Sequence, residues 1–469
     1  MAGWTTLVKL IQEEIIQRSE EGCDISGFDL LVAEAQHDNA RLMEIYHLLQ
    51  ALPVRDDFPY VEPSDLAAIR SERPEGPRQL VRSHEEAVWQ DKFFGAWLGR
   101  CVGCALGKPL ESTAFAHGTP EMPGWRGRAQ TPGWKNIKTW FEAANMWPIT
   151  GYTPGQSPAK DLPGMALHSE SGLSERERIA YMQSDDDIRY TILGLLMIEE
   201  KGVNFDSWDI GKLWHRVLPY QFVCTAETQA YLNFSAITSH MEGGRPHDWK
   251  QQLEWVRTYL NPYREWIGAQ IRADGWGYAA AGRPELAAEL AWRDASFSHV
   301  KNGIYGAMFI ASMIAAAFVE EDIERIIQIG LSEIPQNCRL AHDVRTAIAI
   351  AHSTDNVEAL MEALWSAFDH YHPVHTNNNA ALVVAALIFS KGDFERAITT
   401  AVLGGWDTDC NGATVGSIMG ARLGAKVLPQ SWVEPLHDTL YADLIGFDPI
   451  AISECARRSY AASFVHSSI

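Results

Sequence analysis

Basic residues are scarce in this chain: 39 Lys and Arg stand against 60 Asp and Glu, a formal net charge of −21. Such an acidic surface repels nucleic acid and anionic membranes, so neither is expected as a partner. Long apolar stretches are missing as well. The longest uncharged run, Gly303 to Val319, falls short of the ~20 residues a membrane span needs and is diluted by Ala, Gly and Ser. It reads as a buried helix. The opening segment MAGWTTLVKLIQEEIIQRSEEG has neither the unbroken apolar stretch nor the small-residue cleavage site of a secretory signal, which makes a cytoplasmic location the expectation. Cysteine is sparse and odd in number, with seven scattered residues (Cys23, Cys101, Cys104, Cys224, Cys338, Cys410 and Cys455), which excludes a disulfide framework. Cys101 and Cys104 form a CxxC, but no second CxxC or close His pair completes a zinc site, so the pair reads as helix packing. Sustained strand alternation is nearly absent.

What remains is helical. With 469 residues and 46% hydrophobic content, the chain can bury one large core with attachments. Apolar residues recur at helical spacing over 4–19 and 27–51, followed by a proline-rich, charged stretch from Pro53 to Arg82 that reads as an extended linker. We therefore expect a small helical extension over 1–85 and a main domain over 86–469. In the main domain, Ala-rich or Leu-rich helical segments include 86–106, 187–201, 207–217, 303–319, 321–330, 338–352, 356–369, 379–390, 393–403 and 412–425. The expected fold class is all-α, with polar loops on a rigid scaffold carrying function. Segment 119–165 is the exception: Trp125, Trp134, Trp140 and Trp147 lie among Pro and Gly without a period. It reads as a long aromatic loop, either a satellite hydrophobic cluster or a lid that stacks on a flat ligand.

Gly412, Gly416, Gly420 and Gly424 recur every fourth residue, placing a stripe without side chains on one helix face. Each glycine weakens an exposed helix by ~1 kcal/mol relative to alanine, so close approach of a neighbouring helix is the expected compensation.

Two acidic clusters stand at helix starts. Ser184-Asp185-Asp186-Asp187 precedes the run IRYTILGLLMIEE, and Trp406-Asp407-Thr408-Asp409 opens the glycine-striped helix. A helix N-terminus favours one or two acids, but three adjacent ones exceed that need. Four or five carboxylates in a partly buried pocket repel one another, and a hard divalent cation removes the repulsion. Magnesium or manganese is the natural candidate, and two such ions ~3.5–4 Å apart can bind vicinal hydroxyls or activate water.

The ordered segments DKFFGAWLGRCVGCALGKPLE, SDDD, SFSHVKNGIYGA and GGWDTDCNGATVGSIMGA, spanning roughly 90–425, resemble the ADP-ribosylglycohydrolase family. The resemblance implies two Mg2+ or Mn2+ ions held by Ser184, Asp185, Asp186, Asp407 and Asp409, gripping the ribose of the substrate. Glu111 falls on the family's functional glutamate, which implies acid–base chemistry at the scissile bond, with Asp186 as the second catalytic residue. Cys104 and Cys410 stand where the family has aspartate and threonine. Asp274-Gly275-Trp276-Gly277-Tyr278 resembles the glycine-rich loop near the diphosphate. The implied substrate-binding set is Gly275, Trp276, Gly277, Tyr278, His299, Asn302, Gly303, Tyr305, Gly306 and Trp406.

The activity so implied is metal-dependent hydrolysis of an N-ribosyl bond, with an ADP-ribosylated protein as substrate. A free nucleoside, nucleotide or other small N-riboside is the rival substrate, and a non-catalytic binding or structural relative is the rival class. The oligomeric state stays open.

Overall fold

The computed structural model describes residues 5–36, 38–80, 84–119, 129–239 and 244–466. Those residues form an all-α protein. The N-terminal part holds α1 (Leu7–Glu20), α2 (Phe28–Ala35), α3 (Asn39–Gln50) and α4 (Leu66–Glu72). Next come α5 (Glu86–Gly107), α6 (Thr113–Ala116), α7 (Gly133–Ala143), α8 (Asp186–Lys201), α9 (Ser207–Val217), α10 (Thr225–Thr238) and α11 (Trp249–Thr258). The middle is α12 (Asp274–Ala279), α13 (Pro284–Ala295), α14 (Lys301–Ala317), α15 (Ile323–Leu331), α16 (Arg339–Ser353) and α17 (Val357–Phe368). The chain ends with α18 (Thr376–Ser390), α19 (Phe394–Leu403), α20 (Thr408–Leu423), α21 (Gln430–Val433) and α22 (Ile452–Ala462). Among the described residues the only sheet pairs Thr439–Leu440 with Ile450–Ala451, antiparallel.

The glycine stripe on α20 meets a second stripe on α5. Gly95, Gly99 and Gly103 lie against Gly420, Gly416 and Gly412 in antiparallel register, and Gly107 lies against Thr408. A methyl group on Gly103 would stand 1.9 Å from the carbonyl oxygen of Gly412, and one on Gly416 would stand 2.0 Å from that of Gly99. Backbones this close leave no room for any side chain, so glycine is required on both helices. The register has a consequence for the site: it brings the C-terminal end of α5 to the N-terminal end of α20.

Helices α14, α18 and α20 are buried almost along their whole length. The apolar run at 303–319 is therefore core. No helix among the described residues is long and apolar enough to cross a membrane.

Three expectations need correcting. The helical pattern over 27–51 is two helices, because the chain turns at Gln36 (φ 50°) and Asp38 caps the second, its carboxylate accepting from Ala40 N and Arg41 N. The aromatic segment 119–165 is not all loop: α7 lies within it and buries Trp134 and Trp140 in the main core, the latter donating to Pro154 O at 3.0 Å. Trp125 lies outside the described residues. The described part of the expected linker, residues 53–80, is no free linker. It contains α4, buries Ile69, and is strapped down by Arg73 to Glu285 and Glu333, and by Arg78 to Glu333.

Helices α1 to α3 gather Leu10, Ile11, Ile15, Leu42, Ile45 and Leu49 into a small core completed by Ala226, Leu260, Tyr263 and Trp266 of the main body. Ion pairs seal the contact. Arg264 donates to both carboxylate oxygens of Glu14 at 2.7 and 2.8 Å and to Glu21 at 3.1 Å.

Candidate functional site

The site lies where three helix ends converge. From α5 the backbone runs through a short turn, Lys108–Leu110, to Glu111. The N-terminus of α8 supplies Asp185 as its capping residue, with the side chain accepting from Asp187 N at 3.1 Å, followed by Asp186 and Asp187. The N-terminus of α20 supplies Asp407 and Asp409. Helix N-termini favour negative charge, which offsets part of the cost of gathering acids here.

The assembled group holds six carboxyls: Glu111, Asp185, Asp186, Asp187, Asp407 and Asp409. The sulfur of Cys104 and one oxygen each of Asp185, Asp187 and Asp409 all lie within 4.8 Å of one another. A second group, Asp407, Asp409 and Cys410, meets the same limit. The two share Asp409. Asp185, Asp187, Asp407 and Asp409 are nearly inaccessible to solvent, Asp186 is half-buried, and Glu111 is exposed at the mouth.

Three basic side chains reach this centre. Lys108 Nζ makes a short ion pair with Asp185 Oδ2. Arg100 donates from Nη2 to Asp187 Oδ1 at 2.9 Å and pairs through Nη1 with Asp274 Oδ2 at 2.8 Å. Arg189 donates to Ser184 Oγ at 2.9 Å. They do not balance the acids. Asp187 Oδ2, Asp407 Oδ1 and Asp409 Oδ1 are buried without a hydrogen-bond partner, although the weakly donating Cys410 thiol lies against the Asp187 and Asp407 carboxyls.

The electrostatics follow from burial and like charge. Burial, then the charges of Asp185, Asp407 and Asp186, push Glu111 well above the usual carboxylate range, although its outer surface stays open to solvent. Burial and Asp185 push Asp186 up to about 8. Burial raises Asp187, Asp407 and Asp409 as well. Asp185 goes the other way: burial favours its neutral form, but the Lys108 ammonium against it holds it below the usual range.

A hard divalent cation fits this donor set. The orphaned atoms are carboxylate oxygens, the ligand type Mg2+ and Mn2+ take, and a cation removes the excess negative charge. The thiols of Cys104 and Cys410 lie within the two groups but are soft donors, poorly suited to such an ion.

Asn379 supports the α20 end of the site. Its Oδ1 accepts from Asp407 N at 3.3 Å and from Asn411 Nδ2 at 2.7 Å. His375 caps α18, accepting from Asn377 N, while Asn377 Nδ2 donates to Asp343.

The structure therefore brings Glu111, Ser184, Asp185, Asp186, Asp407 and Asp409 into one region. The expected substrate-binding set is not brought there as open surface. Segment Asp274–Tyr278 is helix α12, with Trp276 N and Gly277 N bonded to Ala273 O rather than displayed to a phosphate. Gly275 packs on Gly194 of α8, Trp276 stacks on Phe205 at 4.8 Å, and Tyr278 shares a hydrogen bond with Ser417 Oγ at 2.7 Å.

His299, Asn302, Gly303, Tyr305 and Gly306 are buried and spent on internal contacts. His299 Nδ1 pairs with Ser298 Oγ at 2.8 Å, Asn302 Nδ2 donates to Glu62 and Glu265, and Tyr305 OH donates to Pro63 O. Gly303 gives room to Arg264 O, and Gly306 to Thr376. Trp406 is 2% exposed and stacks on Trp365 at 5.2 Å, so it shapes the turn before Asp407 and offers no face to a ligand. The physical reason is common to all: the N-terminal strap and the packed helices use these groups.

Sequence reasoning passed over Lys108 and Arg100. The available signal was a charged residue set in an apolar, glycine-striped helix, since a buried cation needs a buried partner.

A helical scaffold whose helix ends gather an acid-lined centre defines a protein with a buried acidic site that could hold a metal ion. The ADP-ribosylglycohydrolase family profile matches residues 85–461, and the chain belongs to that family. It is thus a hydrolase, a glycohydrolase of the ADP-ribosyl type. A solved structure titled "ADP-ribosylglycohydrolase-related protein complex" is similar over 80% of this chain and 98% of its own, with 18% identity and a TM-score of 0.45. Comparison with curated protein sequences finds no match.

Proposed function

We propose that this chain is a divalent-metal-dependent hydrolase of N-ribosyl bonds that removes ADP-ribose from a modified protein or small molecule. The observation that carries the reading is the convergence of six carboxyls with three buried, unpaired oxygens, on Asp187, Asp407 and Asp409. Asp407 and Asp409 would hold Mg2+ or Mn2+, with Ser184, Asp185 and Asp186 facing them across the site. When bound, such an ion supplies Lewis-acid polarisation and a fixed anchor for ribose hydroxyls.

The chain's own residues do the rest. Glu111 is the acid of the set with the most open surface, so it can exchange protons with both substrate and solvent. As the bond between ribose C1′ and nitrogen breaks, its electron pair leaves with nitrogen and Glu111 delivers the proton. A water then adds to C1′ and returns a proton to the Glu111 carboxylate. The positive charge that develops on the sugar faces Asp185, the acid that Lys108 holds ionised, which stabilises it as a carboxylate does in glycoside hydrolysis.

A small N-riboside is the second reading, favoured by a cavity of about 710 Å³ between α6 and α7, whose lining begins at Thr113, two residues after Glu111, and includes none of the six acids. Its lining includes Thr113, Thr119, Gln130, Asn136 and Thr139 and no charged side chain, and its size suits one small ligand. Replacement of Asp185 or Asp409 by Ala tests the acid centre. We expect metal-dependent turnover to fall to background in both; full activity in either removes that residue from the reaction.

A further inference from the structure

The two acid groups that share Asp409 differ in one respect: only the first contains fixed positive charge. In it, Lys108 Nζ pairs with Asp185, and Arg100 Nη2 with Asp187. Both acids of that group outside Asp409 thus already have a buried counter-ion. In the second group no basic side chain among the described residues pairs with Asp407, and Oδ1 of both Asp407 and Asp409 is buried without a hydrogen-bond partner. Asp187 Oδ2 of the first group is also unpartnered, so the two positions differ in the fixed cations beside them and not in having orphaned oxygens.

Lys108 has little room to withdraw. Its side chain is 10% exposed, and its backbone follows Gly107, which is packed against Thr408. An ammonium is a compact point charge with three donors, the side chain best able to stand in for a small cation among carboxylates. A divalent ion placed in the first group would lie against that charge and beside the Arg100 guanidinium, in a medium that screens poorly.

We propose that the Lys108 ammonium fills one of two adjoining cation positions, so that this chain binds a single divalent ion, at Asp407 and Asp409. The inference rests on the metal-dependent reading of the site but goes beyond it in number and place. Lys108 is a positioning residue here: its ion pair holds the Asp185 carboxylate at the shared centre, leaving the α20 side for the metal.

The test is a count of bound ions on the full-length chain. The protein is stripped with chelator, exchanged into Mn2+ at micromolar concentration, and the manganese retained per chain is measured by elemental analysis. The expected value is one for the unaltered chain, none for Asp407→Asn, one for Lys108→Arg and two for Lys108→Met. Two ions on the unaltered chain overturn the single-ion assignment and leave the metal-dependent function standing. No ion on the unaltered chain overturns both. An unchanged count of one in folded Lys108→Met shows that the ammonium is not what excludes the second ion. Should Lys108→Met not fold, the count on the unaltered chain together with Asp407→Asn decides the matter.

Discussion

Glu111 illustrates how a single side chain is set apart from its neighbours. The aspartates around it are buried or half-buried at helix starts, whereas Glu111 follows a short turn and keeps its outer surface open. A group so placed carries protons better than it holds metal. Glu111→Gln keeps the size and removes the proton transfer, so kcat should fall by ~10²–10⁴-fold with Mn2+ retention unchanged. Loss of the metal with the activity would instead make Glu111 a ligand. Glu111 was singled out only through the family resemblance, whereas the acids at the starts of α8 and α20 were legible in the sequence, because a helix start is a local feature. The side chains assigned near the substrate were not: His299, Asn302 and Tyr305 are polar in sequence, but the strap residues Glu62 and Pro63, more than 200 positions away, take up Asn302 and Tyr305. Single-residue character does not reveal such long-range partners.

At the scale of elements, the α5–α20 pair determines the geometry. Its register sets Gly107 against Thr408, which puts Glu111 and Asp409 on the same centre. Gly103→Ala would drive a methyl group into Gly412 O, and overpacking of this kind costs about 1–3 kcal/mol or more. We expect a lower thermal unfolding midpoint and reduced activity, measured against Gly244→Ala, where a methyl group meets nothing within 4 Å. A Gly103→Ala protein as stable and active as the unaltered chain would show that the helices can separate without consequence. The stripe on α20 was readable from its period of four, and the matching stripe on α5 stands in the same sequence. Their pairing register was not readable, since it depends on which faces meet. The opposite failure occurred at Asp274–Tyr278: two glycines suggested an open loop, but they serve tight helix packing against Gly194 and Ile314.

At the scale of the whole molecule, the N-terminal helices belong to the architecture that surrounds the site. We read residues 1–85 as an extension to the family domain. Its buried acids Glu14 and Glu21 are met by Arg264, and Glu62 by Arg339, which also pairs with Glu265. Breaking one partner of a buried pair costs ~3–5 kcal/mol, so these contacts tie the extension to the main body far more firmly than surface pairs could. Composition made the all-α class plain, because helical periodicity is a local property summed over many segments. The docking of the extension was not plain: its apolar stripe could pack on itself or elsewhere, and only the shared core with Leu260, Tyr263 and Trp266 decides it.

The central claim is that the acid centre hydrolyses an N-ribosyl bond with a divalent ion in place. Its most direct test is release of free ADP-ribose from arginine-linked and serine-linked ADP-ribosylated proteins, run beside ribose release from a nucleoside panel, with Mg2+, Mn2+ or chelator. The account predicts ADP-ribose release that requires Mg2+ or Mn2+ and stops with chelator. Release that continues undiminished in chelator would contradict the metal-dependent centre, and release from no riboside of either kind by metal-loaded protein would contradict the activity itself.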